Sequence, residues 1–292
     1  MWNWDFSFAG DYSYLHCAMI PTAEKIITAF RSGSSLPVLA ETDTGVRCVI
    51  KWNGAGDGVT AHAVDWIALR CAQQCGIRVP QPHRIAVTSD LIDPEEDPEI
   101  NELVVRSIGI NLGIEYFETI VPYTSAAADR VPDAAKHRIY CYDVLMLNMD
   151  RIDVNPNMIF VNDELYCLDF SAAMELKMAV DGSVFSEQTF FPLLRRHPFY
   201  TPFSELTIPA IPVSRADIGE IVESIPVDWL VRGENSRPDI IESILSLFGD
   251  AHAAIQRRTQ SIDAVPVESP EERSARLDSN LKAFEAVVRR YQ

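Results

Sequence analysis

A helix-length apolar run that ends directly in an acidic, asparagine-bearing loop is the feature that most limits how this chain of 292 residues can fold. Residues 136–148 carry Ile139, Tyr140, Tyr142, Val144, Leu145, Met146 and Leu147, apolar on most faces, which predicts a central helix buried on all sides. The run continues without a break into Met149-Asp150-Arg151-Ile152-Asp153-Val154-Asn155-Pro156-Asn157. Two short apolar segments follow, 158–161 and 165–168, around the turn residues Asn162-Asp163-Glu164, and they predict a β-hairpin that ends at Asp169. A hairpin fixes the spacing of the polar residues at its two ends, which a free loop would leave variable.

The polar residues of this segment are those that ATP-dependent phosphoryl transfer uses. One carboxylate of such a set accepts or orients the proton of an attacking hydroxyl. An amide oxygen and another carboxylate hold Mg²⁺ against the phosphates. Taken singly each residue is ordinary, since an Asp before a loop often caps or turns the chain and Asn-Pro-Asn is a common turn sequence. Their shared setting makes the chemical reading the stronger one.

The N-terminal half reads as sheet. Segments 32–40 and 46–52 are β-rich and are separated by Asp43-Thr44-Gly45, which predicts a hairpin. Alternation places Arg47, Val49 and Lys51 on one face of its second strand. Three glycines, Gly54, Gly56 and Gly58, then lead to a helix predicted over 61–76, with Val64, Ile67, Ala68, Cys71 and Cys75 at three- and four-residue steps. Further strands are expected at 84–87 and 103–107, separated by a solvated acidic loop over 90–101. Beyond 122 helices are expected over 215–223, over 238–258 and from 270 onward. The order implies an α+β protein, with a sheet-rich lobe over 1–122 and a helical lobe over 123–292.

The charge balance, 25 Lys+Arg against 42 Asp+Glu, argues against generic binding to nucleic acid or to an anionic membrane. No apolar stretch approaches the ~20 residues of a membrane span. The start, Met1-Trp2-Asn3-Trp4-Asp5, lacks a signal-peptide pattern, so the cytoplasm is expected. The six cysteines read as buried thiols of a reducing compartment, because Cys71 and Cys75 have no second pair nearby to complete a zinc site.

Several stretches together resemble a HipA-like kinase domain of the bacterial type, distantly related to protein and phosphoinositide kinases. They are Val49-Ile50-Lys51-Trp52, Asp65-Trp66-Ile67-Ala68 leading to Gly76-Ile77-Arg78-Val79-Pro80, Asn148-Met149-Asp150-Arg151 through Asn155-Pro156-Asn157-Met158-Ile159, Leu168-Asp169-Phe170-Ser171-Ala172-Ala173, and Ile225-Pro226-Val227-Asp228-Trp229-Leu230. The resemblance implies a two-lobed protein-kinase-like fold that passes the γ-phosphate of Mg·ATP to a hydroxyl acceptor, protein Ser/Thr above all. It implies Asp150 as catalytic base, Asp169 with Asn155 or Asn157 as Mg²⁺ ligands, and Lys51 on the ATP phosphates. Asp65 stands where the family's helix acid pairs with that lysine, and Ser32, Gly33, Ser34 and Ser35 occupy the phosphate-loop position. Residues 104–113 match the region that contacts adenine. A protein substrate and a cognate antitoxin or inhibitor are the implied partners, in a toxin–antitoxin or regulatory setting. The additional N-terminal segment of full-length HipA toxins is expected to be absent. This chain departs from the family in its few loop glycines, in Asp65 where Glu is usual, and in Ser171 after Phe170 where Gly is usual.

Other classes are weaker. Gly54-x-Gly56-x-Gly58 after a strand suggests dinucleotide binding, but Val59 stands where that fingerprint needs its third glycine. A hydrolase triad lacks its Gly-x-Ser-x-Gly elbow, and His62, His83, His137, His197 and His252 are scattered and read as surface or loop residues. A catalytically silent kinase fold serving as a binding module is one alternative. A small-molecule or lipid kinase, using the same metal chemistry, is another.

Overall fold

The computed structural model of the protein describes residues 20–31, 36–56, 58–230 and 235–266. In chain order they form β1 (Ala23–Ala29), β2 (Val38–Thr42), β3 (Arg47–Lys51), α1 (Val59–Gln74), β4 (Pro82–Val87), α2 (Pro98–Arg106), β5 (Gly109–Glu115), β6 (Val121–Pro122), α3 (Asp133–Met146), β7 (Met158–Val161) and β8 (Glu164–Cys167). Then come α4 (Met174–Asp181), α5 (Phe191–Leu194), α6 (Arg215–Glu223), α7 (Arg237–Gly249) and α8 (Ala251–Asp263). The fold is mixed α/β, with its sheet in the N-terminal region and most helices in the C-terminal part. Two compact units emerge, neither continuous in sequence. The first joins the described residues up to Val59 to Gln81–Tyr116, and the second joins Thr60–Pro80 to the described residues from Phe117.

The first unit is a five-stranded sheet in the order β1-β2-β3-β5-β4, antiparallel throughout. An isolated parallel bridge between Thr22 and Ala86 brings its two ends toward each other. Along β3, Cys48 and Ile50 are buried while Arg47, Val49 and Lys51 face the other side, as the alternation predicts. Residues 103–107 are not a strand: Leu103 and Val104 belong to α2. Asp97 caps that helix through Glu99 N–H at 2.9 Å, and Pro98 occupies its first turn. The apolar face of α2 packs Ile100, Leu103 and Val104 against Val38, Ala40, Ile50, Trp52, Ile85 and Val87, so tertiary burial outweighs the β-branched valines. Strand β1 carries no alternation that sequence could show, and its pairing with β2 shifts register twice. Gly113 is required where β5 passes β4, since a Cβ there would come within 2.5 Å of Ile85.

In the second unit α1 is buried on nearly every side. Trp66 Nε1 donates to Ser224 Oγ at 2.9 Å, and the fully buried Trp229 meets Trp66 and His62 edge-on, with ring centroids 6.0 and 5.5 Å away. Tyr142 on α3 donates its hydroxyl to Ala68 O at 2.7 Å, which fastens α3 to α1. Strands β6, β7 and β8 form a small antiparallel sheet in that order. The single helix expected over 238–258 is two: Asp250, at φ −105° and ψ 14°, breaks it, and α7 opens with a Ser236/Asp239 capping box. The helix expected from 270 onward lies outside the described residues.

Candidate functional site

The loop between α3 and β7 is set by backbone pairing before any side chain acts. Helix α3 ends at Leu147, which takes a left-handed conformation, φ 51°, and turns the chain out of the helix. Asn148 then bridges Ala173, and Met149 N–H donates to Ala172 O at 3.4 Å. At the other end of the loop, Leu168 N–H donates to Asn157 O at 2.7 Å, continuing the β7–β8 register of Met158 with Cys167. Residues flanking Asp150 therefore pair with residues just after Asp169, and Asn157 pairs with the residue just before it. The two acids come to the same end of the hairpin.

Within this frame three of the expected side chains meet directly. Asn155 Nδ2 donates to Asp150 Oδ2 at 2.9 Å, and Asn157 Nδ2 donates to the same oxygen at 3.1 Å. Both amides thus point their N–H groups at the carboxylate, and their Oδ1 atoms remain as acceptors. Asp169 is also left-handed, φ 50°, and its Oδ1 accepts from Ser171 N–H at 3.1 Å and Ser171 Oγ at 2.7 Å. Ser171 thereby closes a local turn on the acid. Asp150, Asn155, Asn157 and Asp169 are all half-buried, open enough to meet a ligand.

Asp65 is buried on α1, and its Oδ1 accepts the Phe170 N–H at 2.6 Å. It supports the segment that carries Asp169, a role the sequence reading did not foresee. Lys51 lies in the first unit, half-buried at the end of β3 and paired in register with Leu112 of β5. Of residues 104–113, the first three close α2 and the stretch from Gly109 lies in β5 between β3 and β4. Ser32, Gly33, Ser34 and Ser35 lie outside the described residues.

A buried ionic cluster stands behind the loop. Asp143 on α3 is fully buried and receives Arg151 Nε at 2.7 Å and His197 Nε2 at 3.0 Å on Oδ2, and Asn148 Nδ2 at 2.8 Å on Oδ1. Burial alone would raise the Asp143 carboxyl, but the Arg151 guanidinium and the donors from His197 and Asn148 hold it below the usual carboxylate range. His197, expected as a surface or loop residue, lies in a loop and is buried there. Burial holds its imidazole below its ordinary value despite the neighbouring Asp143. Phe199 N–H donates to His197 Nδ1 at 3.0 Å, so the ring is neutral with its proton on Nε2. His62 is buried as well. Sequence offered no signal for this cluster beyond the Arg that follows Asp150.

Amide oxygens such as those of Asn155 and Asn157 and a carboxylate such as that of Asp169 are hard oxygen ligands of the kind that suit a small divalent cation. Among the described residues no group of three or more His, Cys, Asp or Glu side chains is assembled for a metal. The five described cysteines are buried free thiols, and burial pushes Cys48 up to about 11 and Cys141 and Cys167 up to about 12. No described helix is long and apolar enough to cross a membrane.

The chain has a sheet-bearing N-terminal region and a mostly helical C-terminal part, and its sequence matches a kinase-type family. A family model described as HipA-like kinase matches residues 23–252, and the chain belongs to that family. Among solved structures it is similar to the Helicobacter pylori proinflammatory kinase CtkA, at 10% identity and a TM-score of 0.44, over 82% of this chain and 96% of that one. No curated protein matches it.

Proposed function

We propose that this protein is an ATP-dependent phosphotransferase that passes the γ-phosphate of Mg·ATP to a hydroxyl acceptor, with a protein serine or threonine as the favoured acceptor. The observation that carries this reading is the convergence of Asn155 and Asn157 on one oxygen of Asp150. That arrangement aims the Asp150 carboxylate and commits both amide N–H groups inward, which leaves amide oxygens for a cation. Mg²⁺, when bound, supplies charge neutralisation at the phosphates. Asp169, with Asn155 or Asn157, would hold it, and the Ser171 turn keeps the Asp169 carboxylate in place. Asp150 would orient the acceptor hydroxyl and take its proton as the new P–O bond forms. Lys51 would steady the phosphates, with Ser32, Gly33, Ser34 and Ser35 as the anion loop and residues near 104–113 toward the adenine. The lobes proposed for this work are 1–122 and 123–292. A cytoplasmic regulatory role, with a cognate antitoxin or inhibitor as partner, rests on family membership alone.

The test is incubation of the purified chain with γ-labelled ATP and Mg²⁺ in a cell lysate, beside Asp150→Ala and Asp169→Ala. Labelled protein with wild type and its loss by about 10²-fold or more in both variants supports the reading. Equal labelling by all three sinks it, and label confined to small molecules moves the acceptor class.

A further inference from the structure

The proposed site holds its reacting groups on a loop, and loops are poor platforms unless something rigid stands behind them. What stands here is Arg151. Its guanidinium lies at the centre of the loop's inner side, fully buried. Nε takes Asp143 Oδ2 at 2.7 Å, while Nη1 reaches forward to Asn157 O at 2.6 Å and Pro156 O at 3.2 Å. Its flat face covers the Phe170 ring with the guanidinium carbon 4.6 Å from the ring centroid. One planar cation therefore touches α3, the residue carrying the second amide, and the residue after Asp169.

Asp143 is held just as firmly from behind. It sits three residues before Met146, the last residue of α3, and receives Asn148 Nδ2, so the helix exit is tied to the same carboxylate. His197 presents a neutral Nε2–H to Asp143, and its own orientation is set by Phe199 N–H and by Tyr140, whose ring lies 5.2 Å away.

Such a cluster is a poor device for stability alone. A buried ion pair recovers little net free energy against its desolvation, and this one leaves Arg151 Nη2 and Asn148 Oδ1 buried without a hydrogen-bond partner. What it does supply is direction, because a guanidinium fork fixes two carbonyls and a carboxylate in one plane.

We infer that Asp143, Arg151 and His197 form a positioning relay that sets the geometry of the Asp150–Asn157 loop from behind. They touch neither nucleotide nor acceptor. For what the loop does, this rests on the phosphotransferase reading above.

The experiment uses the full chain with Arg151→Lys, which keeps the charge opposite Asp143 but cannot span both the carboxylate and the two carbonyls. Two readouts are taken: labelled phosphate transfer, and backbone hydrogen exchange over residues 150–157. We expect kcat to fall about 10–100-fold, in the range seen when supports of a metal site are removed, with KM for ATP changed less than about threefold. Loop exchange should quicken by about tenfold while exchange in α1 and β2 is unchanged. Wild-type kcat together with wild-type loop exchange would overturn the inference. If Arg151→Lys does not fold, the pair His197→Leu and His197→Gln decides. Leu loses the donor to Asp143 and should quicken loop exchange, Gln should restore it, and two variants indistinguishable from wild type would overturn the relay. Should wild type transfer no phosphate to any acceptor, the phosphotransferase reading fails while the exchange data still judge the relay.

Discussion

Asp65, in the middle of α1, accepts the backbone N–H of Phe170 at 2.6 Å across 105 residues of sequence. The contact joins a buried helix carboxylate to the residue that follows Asp169. It explains why an acid is tolerated on a helix face where His62, Ala68 and Leu69 are also buried.

Asp65→Ala leaves a buried N–H without its acceptor, at a cost of about 1–3 kcal/mol. Urea unfolding should show that loss as a lowered midpoint with an unchanged slope. Asp65→Asn keeps an acceptor oxygen and should recover most of it. Equal midpoints for wild type and Asp65→Ala would remove Asp65 from this role.

The two loop amides are separable by metal titration. Asn155 has the five-residue spacing from Asp150 expected of a metal ligand, so Asn155→Ala should raise the Mg²⁺ needed for half-maximal transfer by about tenfold or more. Asn157→Ala should lower the rate with little change in that requirement. The reverse pattern would assign the ligand to Asn157.

Trp229 is fully buried and packs edge-on against His62 and Trp66. Trp229→Ala should destabilise the second unit by about 3–5 kcal/mol. Thermal denaturation followed by near-UV circular dichroism would register it, and a shift of only a degree or two would mean the site repacks.

His197 predicts an acid-side weakness. Its folded-state value is held below the ordinary 6.5, so the unfolded chain binds a proton more readily than the native one. The stability that follows from the neutral ring is complete above that unfolded value, and it is lost as pH falls toward the folded one. Asp143, Arg151 and Tyr140 face the ring and do not titrate in that window. Unfolding free energy should therefore fall from about pH 6.5 downward, with a shallower slope in His197→Gln. Parallel slopes in the two proteins would contradict this.

Thiol chemistry offers a check on the core. Cys48, Cys71, Cys75, Cys141 and Cys167 are buried, and burial keeps each protonated at neutral pH. An aromatic disulfide reagent at pH 8 should label these five only on addition of denaturant.

Much of the site was legible because its residues are close in sequence. Asp150, Asn155, Asn157 and Asp169 span twenty positions, and a hairpin with turn residues at its tip is a local pattern. The five-residue strand with Lys51 was legible for the same reason. The misreadings have a common cause. Residues 103–107 depart from the expected strand and 238–258 from the expected single helix, because the caps at Asp97 and Ser236 and the break at Asp250 set the elements. His197 does lie in a loop, but a lone histidine carries no mark of the buried groups that surround it.

Spacing and hydrophobic period were enough to establish a buried helix, a polar loop bearing one acid and a hairpin followed by another, since those depend on interactions a few residues long. The supports of the loop were another matter. Asp143 meets His197 across 54 positions and Asp65 meets Phe170 across 105, and only the packed chain brings them together. A charged side chain in a string of letters reads as solvated until burial strips its water and a distant partner replaces it.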